Sequence, residues 1–336
     1  MELSFRTRVV MNIKKEIPLL EVVDLKKYFL PTKNILEMQV ASVRAVDGIS
    51  FTISKGETLG LVGESGCGKS TVAKTLLRLI EPTSGQVSFF GTNLFDLKNI
   101  TMRNIRKEMQ IIFQDPYSSV NPARSIGNIL QEPFEIHNCR DKKENAEKAL
   151  QLLERVGLTS EHFKKYPHEL SGGQLQRVGI ARAIALNPKF VVADEPVAAL
   201  DVSIQVQIIN LLLDLKEELD ISYLFISHDM AVVEYFCDRV AVMYLGKIVE
   251  IASSEQIYKS PKHPYTLALL NAIPKLDSGK IKQRIPIKGD ISSPASLQTG
   301  CAFQSRCPIK EKRCEEEIPN LQESAPNHHV ACFFKQ

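Results

Sequence analysis

A chain of 336 residues with 44% hydrophobic and 24% charged side chains has the make-up of a folded globular protein, which excludes collagen-like and disordered classes. Its 42 Lys and Arg against 39 Asp and Glu leave a formal charge of +3, too balanced for the clustered basic surface that nucleic-acid phosphates require, so no nucleic-acid partner is expected. No run approaches the ~18–20 apolar residues that span a bilayer. Polar residues interrupt positions 1–15 too often for a secretion signal, so a cytosolic chain is expected.

In chain order, residues 20–23 and 45–53 read as strands of an antiparallel β subdomain, and residues 58–62 as a buried strand running into a glycine-rich loop. Val72, Ala73, Leu76, Leu77 and Ile80 then recur at helical spacing until residues 81–85 stop the helix. Residues 115–186 change to helical patterns, clearest at 144–156 and 175–186, and predict an inserted helical subdomain. Residues 190–193 and 223–226 read as buried parallel strands, separated by a helix carrying Ile204, Ile208, Leu211, Leu212 and Leu215. A hairpin over 240–244 and 248–251 turns at Gly246 and Lys247. The expected fold is α/β, with a mainly parallel sheet covered on both faces. It forms one domain over 17–255, followed by an irregular extension over 256–336 that contains Pro261, Pro264, Pro274, Pro286 and Pro294.

Residues 63–71 fit G-x-x-x-x-G-K-[ST] between a predicted strand and a predicted helix, the context that a phosphate-binding loop requires. Gly63, Ser65, Gly66, Cys67 and Gly68 would turn backbone N–H groups around phosphate oxygens, and Thr71 continues the helix whose N-terminus adds partial positive charge. Lys69 would reach the β- and γ-phosphates, and Ser70 would set a hydroxyl on Mg²⁺. Asp194 and Glu195 follow a buried strand. One carboxylate can hold Mg²⁺ through water while the other polarises the attacking water. Ser171, Gly172, Gly173 and Gln174 open a helix, with Ser171 suited as its N-cap. Local chemistry leaves a plain capped helix and a second anion site equally open.

Those residues, together with Gln114 in residues 111–115, Asp201 in 199–201 and His228 in 227–229, resemble the ATP-binding subunits of ABC transporters, whose motifs occur here in the family's order over about 20–255. The resemblance implies ATP and Mg²⁺ as cofactors and a head-to-tail dimer in which residues 171–174 complete the partner's phosphate loop. It implies Glu195, His228 and Gln114 as catalytic residues, with Gln114 also near Mg²⁺ beside Ser70 and Asp194. Tyr28 matches the aromatic that stacks on adenine, although Phe29 is adjacent. Residues 113–122, 201–207, 243–250 and 263–270 are similar to the ATPase subunits of oligopeptide and dipeptide importers, closer to the paralogue often labelled F than to D. Expected partners are a second ATPase subunit, either a paralogue or a second copy, and two membrane permeases. An extracellular peptide-binding protein acts indirectly, and the chain sits peripherally on the cytoplasmic face of the membrane. Nickel or sugar cargo, a non-transport ABC ATPase and a metal- or redox-regulated binding module are the alternatives.

Of seven cysteines, Cys67, Cys139 and Cys237 are scattered, whereas Cys301, Cys307, Cys314 and Cys332 crowd the carboxy-terminal end, where a reducing compartment favours metal over disulfide. Four thiolates suit a [4Fe–4S] cluster or structural zinc; the absence of C-x2-C pairs and a resemblance to importer tails favour the cluster, with a structural role. His328 and His329 are expected to be exposed loop residues rather than ligands.

Overall fold

The computed structural model describes residues 17–30, 42–137, 141–198, 200–272 and 299–334. Near the amino end, β1 (Leu20–Phe29) pairs antiparallel with β2 (Val43–Ile53). A bulge at Asp24, which takes a φ of 46°, resets the alternation so that Leu25 turns back into the core and the strand continues past the stretch legible in the sequence. Next come β3 (Thr58–Val62), α1 (Lys69–Leu76), β4 (Ser84–Phe89) and β5 (Thr92–Asn93); the antiparallel sheet has the order β2-β1-β4-β5. Helix α1 stops at Leu76, short of the Ile80 that periodicity suggested, because Arg78 adopts a left-handed φ of 49°.

After α2 (Asn99–Ile105) and β6 (Met109–Ile112), the chain forms the expected helical segment: α3 (Ile126–Ile136), α4 (Lys142–Arg155) and α5 (Gly172–Ile184). It returns through β7 (Phe190–Asp194), α6 (Val202–Leu219), β8 (Ser222–Ser227), α7 (Met230–Phe236), β9 (Arg239–Tyr244) and β10 (Lys247–Ser253). The later elements are α8 (Ser254–Lys259), α9 (Pro264–Asn271), α10 (Lys312–Glu316), β11 (Gln322–Ala325) and β12 (His328–Val330). The larger sheet has the order β11-β12-β10-β9-β3-β8-β7-β6, parallel from β9 to β6 and antiparallel beyond β9.

Both faces of the parallel strands are covered, which is why they read as continuous apolar runs rather than as alternating ones. Successive side chains feed different cores. Val191, Ala193, Tyr223 and Phe225 join the helical segment, whereas Phe190, Val192, Leu224 and Ile226 pack with α1 and the antiparallel sheet. No helix among the described residues is long and apolar enough to cross a membrane.

The region after 256 departs from the irregular segment expected. Strands β11 and β12 extend the main sheet, with Val330 opposite Glu250 and His329 opposite Ile251. Phe303 is 1% exposed and packs edge-on against Tyr244, so the tail shares the main core instead of lacking one. His328 is likewise not an exposed loop residue. It is buried, with Nε2 at 2.6 Å from the Glu250 carboxylate. Pattern reading misses these strands because they are four and three residues long and the strand on which the pair docks, β10, lies far back in the chain. The expectations for residues 1–15, Cys139, Ala199, Pro274, Pro286 and Pro294 fall outside the described residues.

Candidate active site

Four parallel strands end at one edge of the sheet, so the residues that follow them converge there, as ligands do in open α/β sheets. The loop after β3 surrounds a cavity of ≈ 500 Å³ lined by Ser65, Gly66, Cys67, Gly68, Lys69, Ser70 and Thr71, with Gln114, Glu195 and His228 across from them. Two glycines fix the loop's shape. A Cβ on Gly68, at φ 111°, would lie 2.0 Å from the Ala45 carbonyl oxygen, and one on Gly63 would lie 2.2 Å from that of Met243. The backbone is thus wedged between β2 and β9, with no room for a side chain.

Lys69 is 4% exposed and donates from Nζ to the carbonyls of Gly63 at 2.7 Å and Glu64 at 3.1 Å. Its ammonium also lies 3.9 Å from Glu195 Oε1. A buried cation held by neutral carbonyls and one carboxylate suits a phosphate group. The Ser70 hydroxyl donates to Asp194 Oδ1 at 3.0 Å. Burial pushes the Asp194 carboxyl up; the Ser70 bond opposes that shift, and the charge of Glu195 adds to it. A divalent cation at Ser70 and Asp194 would relieve this crowding of negative charge, so these groups fit Mg²⁺. Bound there, Mg²⁺ would supply charge neutralisation for phosphate oxygens.

Glu195 adopts a left-handed φ of 47°, a backbone state that costs about 1–3 kcal/mol and recurs at functional sites. Its N–H donates to the Ile226 carbonyl at 3.0 Å, tying the strained residue to β8. The carboxylate then accepts from Gln114 Nε2 at 3.0 Å and lies 3.2 Å from His228 Nδ1. A carboxylate oriented by an amide and an imidazole, facing the cavity beside Lys69, can accept a proton from a water at a phosphate.

Other expected residues lie elsewhere. Ser171 caps α5, and Gln174 closes a reciprocal capping box with it; neither these two nor Gly172 and Gly173 line the cavity. Gly173 lets α5 approach α6, since a Cβ would come within 2.7 Å of Ile204. Asp201 caps α6 through Ile204 N–H at 3.1 Å. Tyr28 does not line the cavity. Its hydroxyl donates to Asp47 Oδ1 at 2.5 Å, and its ring sits 5.6 Å below the Arg44 guanidinium. Burial and the Asp47 bond push its pKa up to about 12. Arg44 and Val43 on β2 line the cavity instead, residues that no motif singled out. Sequence reasoning also missed Tyr265 and Arg306, both bonded to Glu64 of the loop. Only the family-like run at 263–270 pointed toward the first.

Cys301, Cys307, Cys314 and Cys332 are free thiols. The Cys301 N–H donates to the Cys314 carbonyl at 2.8 Å. Burial pushes the Cys301 thiol up to about 11, with the other three tail thiols close enough to add to the shift. Among the described residues, no group of three or more His, Cys, Asp or Glu is arranged to hold a metal ion. The four thiols nevertheless share one neighbourhood, since each of the other three acts on Cys301.

A glycine-rich phosphate loop, a strand-end Asp-Glu pair and a capped helix opening Ser-Gly-Gly-Gln, on a mixed α/β sheet with an inserted helical segment, define an ABC ATPase. Its fold is similar to a dimeric structure of the post-hydrolysis state of the ATP-binding cassette MJ0796 bound to ADP and Pi, with a TM-score of 0.62 and 27% identity over 70% of this chain and 98% of that one. It is also similar to cbiO1 from Clostridium perfringens, part of the ABC transporter complex cbiONQ, with a TM-score of 0.61 and 28% identity over 73% and 92% of the two chains. Family models for ABC transporters and for the oligopeptide/dipeptide transporter C-terminal region match residues 46–198 and 249–314. The chain is 49% identical over 327 residues to the oligopeptide transport ATP-binding protein AppF of Bacillus subtilis, covering 96% of this chain and 99% of that protein. It is 46% identical over 322 residues to the dipeptide transport ATP-binding protein DppF of Haemophilus influenzae, covering 96% and 98%. The chain belongs to the ATP-binding subunits of the oligopeptide/dipeptide ABC transporter family.

Proposed function

We propose that this subunit hydrolyses ATP to drive import of dipeptides or oligopeptides, and that it works as a head-to-tail ATPase dimer on the cytoplasmic face of a membrane permease pair. The observation that carries the catalytic part is the Glu195 carboxylate, held beside Lys69 by Gln114 and His228. The relatives AppF and DppF support peptide cargo. The dimer is supported by the cavity itself: residues 171–174 do not line it, so a second chain's signature, a paralogue's or a copy's, is free to close it. Mg²⁺ would be held by Ser70 and Asp194 with Gln114 near. Arg44, which lines the cavity, would flank the base, with the Tyr28 ring stacked behind its guanidinium.

The permease would dock on residues 115–122. Tyr117 is half exposed, and its hydroxyl donates to the Leu170 carbonyl at 3.2 Å, while Arg182 on α5 donates to the Ser119 carbonyl. Movement there would be passed to the residues 171–174 that meet the partner's phosphate. A substrate-binding protein outside the cell would present the peptide.

For the tail we favour a [4Fe–4S] cluster over zinc. Four thiols in one neighbourhood, spaced without the C-x2-C pairs usual for zinc, support a cubane, which takes four thiolates. Its role would be structural. Protein purified without oxygen should be brown and lose its colour in Cys307→Ser; colourless protein with one zinc per chain would refute the cluster.

The function is tested by uptake in cells that depend on this subunit. Lys69→Ala should abolish accumulation of labelled di- and oligopeptides and leave nickel and sugar uptake unchanged. Loss of nickel or sugar uptake with peptide uptake intact would overturn the cargo assignment.

A further inference from the structure

The second residue of the phosphate loop, Glu64, is held from three sides. Its N–H donates to the Tyr265 hydroxyl at 2.9 Å, and its carbonyl accepts from Lys69. Its carboxylate accepts both arms of the Arg306 guanidinium, at 2.7 and 3.0 Å. Two of these three anchors come from beyond the ATPase motifs, and Arg306 lies in the tail one position before Cys307.

This pair differs from an ordinary surface ion pair, which is solvated and holds no single geometry. The Arg306 side chain is 6% exposed, it is bidentate, and it lies 5.9 Å above the Tyr244 ring, so its fork has one available geometry. The Tyr244 ring in turn packs against Tyr265 and Phe303. The tail therefore presents a fixed cation to the phosphate loop.

We propose that Arg306 is a positioning residue for the nucleotide site: it fixes Glu64, and through that residue the loop carbonyls that aim Lys69 at phosphate. Arg306 does not itself line the cavity. Two consequences follow from charge and geometry. Without Arg306, the Glu64 carboxylate stands unpaired on a loop built for anions, and repels them. Without the fork, the Glu64 peptide loses an anchor and Lys69 loses its fixed pair of acceptors. Both weaken ground-state binding of the nucleotide, with no change in the Glu195, Gln114 and His228 constellation.

The test is a double-mutant cycle on the full chain, reading the Kd of a fluorescent ATP analogue with Mg²⁺ and the thermal midpoint of each variant. Arg306→Ala should weaken binding about tenfold in the native background but less than about twofold in Glu64→Gln, because the effect passes through that carboxylate. Arg306→Lys, which keeps the charge and loses the fork, should recover only part of the loss and provides a folded variant if the alanine form is unstable. Equal losses in both backgrounds would overturn the proposal. So would an unchanged Kd with a lowered thermal midpoint, which would make the pair a structural brace alone.

Discussion

The nucleotide pocket and the carboxy-terminal tail are held in place by different means. In the pocket, Lys69, Gln114, Glu195 and His228 arrive together because β3, β6, β7 and β8 run parallel with matched registers, so backbone pairing alone brings their following residues to one edge. Among the described residues, the tail adds two short strands to the main sheet and is further fixed to the ATPase core by single side chains: His328 on Glu250, Arg306 on Glu64, Phe303 against Tyr244. A site carried by a sheet tolerates loss of one contact but not a shift of its backbone. A tail carried by side chains responds in the opposite way.

Gly68→Ala is expected to have the largest effect in the pocket. Its Cβ would overlap the Ala45 carbonyl at 2.0 Å in a backbone conformation that alanine rarely adopts. The loop must shift by about an ångström, which should weaken ATP binding by more than about a hundredfold while far-UV circular dichroism stays native. Titration with labelled ATP checks this, and near-native affinity would show that the loop is not wedged as described.

Glu250→Ala is the corresponding cut in the tail. It removes the acceptor for the N–H groups of Lys262 and His263, at 2.7 and 2.9 Å, and strands the buried His328. Each buried polar group left without its partner costs about 1–3 kcal/mol, read as a lower denaturation midpoint. Protease cleavage of the tail should become faster, with ATP binding reduced less than in Gly68→Ala. Equal damage to both regions would erase the contrast.

The same contrast explains what was legible in the sequence. The phosphate loop, the Asp194-Glu195 pair and the strands around them announce themselves through local pattern, because glycine spacing and apolar runs are consequences of the sheet that positions them. Ser171 was legible as a helix opening, and its capping bond is present; Asp201, read only as part of a family motif, caps α6 in the same way. The left-handed turn at Arg78 carries no glycine or proline to mark it, so α1 read one turn too long. His328 read as an exposed loop histidine because its partner, Glu250, is 78 positions away. Arg306 and Glu64 are separated by 242 positions, and no periodicity joins them. Tertiary pairing of single polar side chains leaves no local trace.

In the mechanism proposed above, Glu195 activates water in a site whose nucleotide contacts do not depend on it. Glu195→Gln, assayed for MgATP affinity and for phosphate release in the assembled transporter, tests it most directly. The account predicts affinity within about threefold of native, because Lys69, Ser70 and Asp194 remain in place, and turnover lowered about 10²–10⁴-fold because the proton acceptor is gone. Near-native phosphate release from that variant would contradict it.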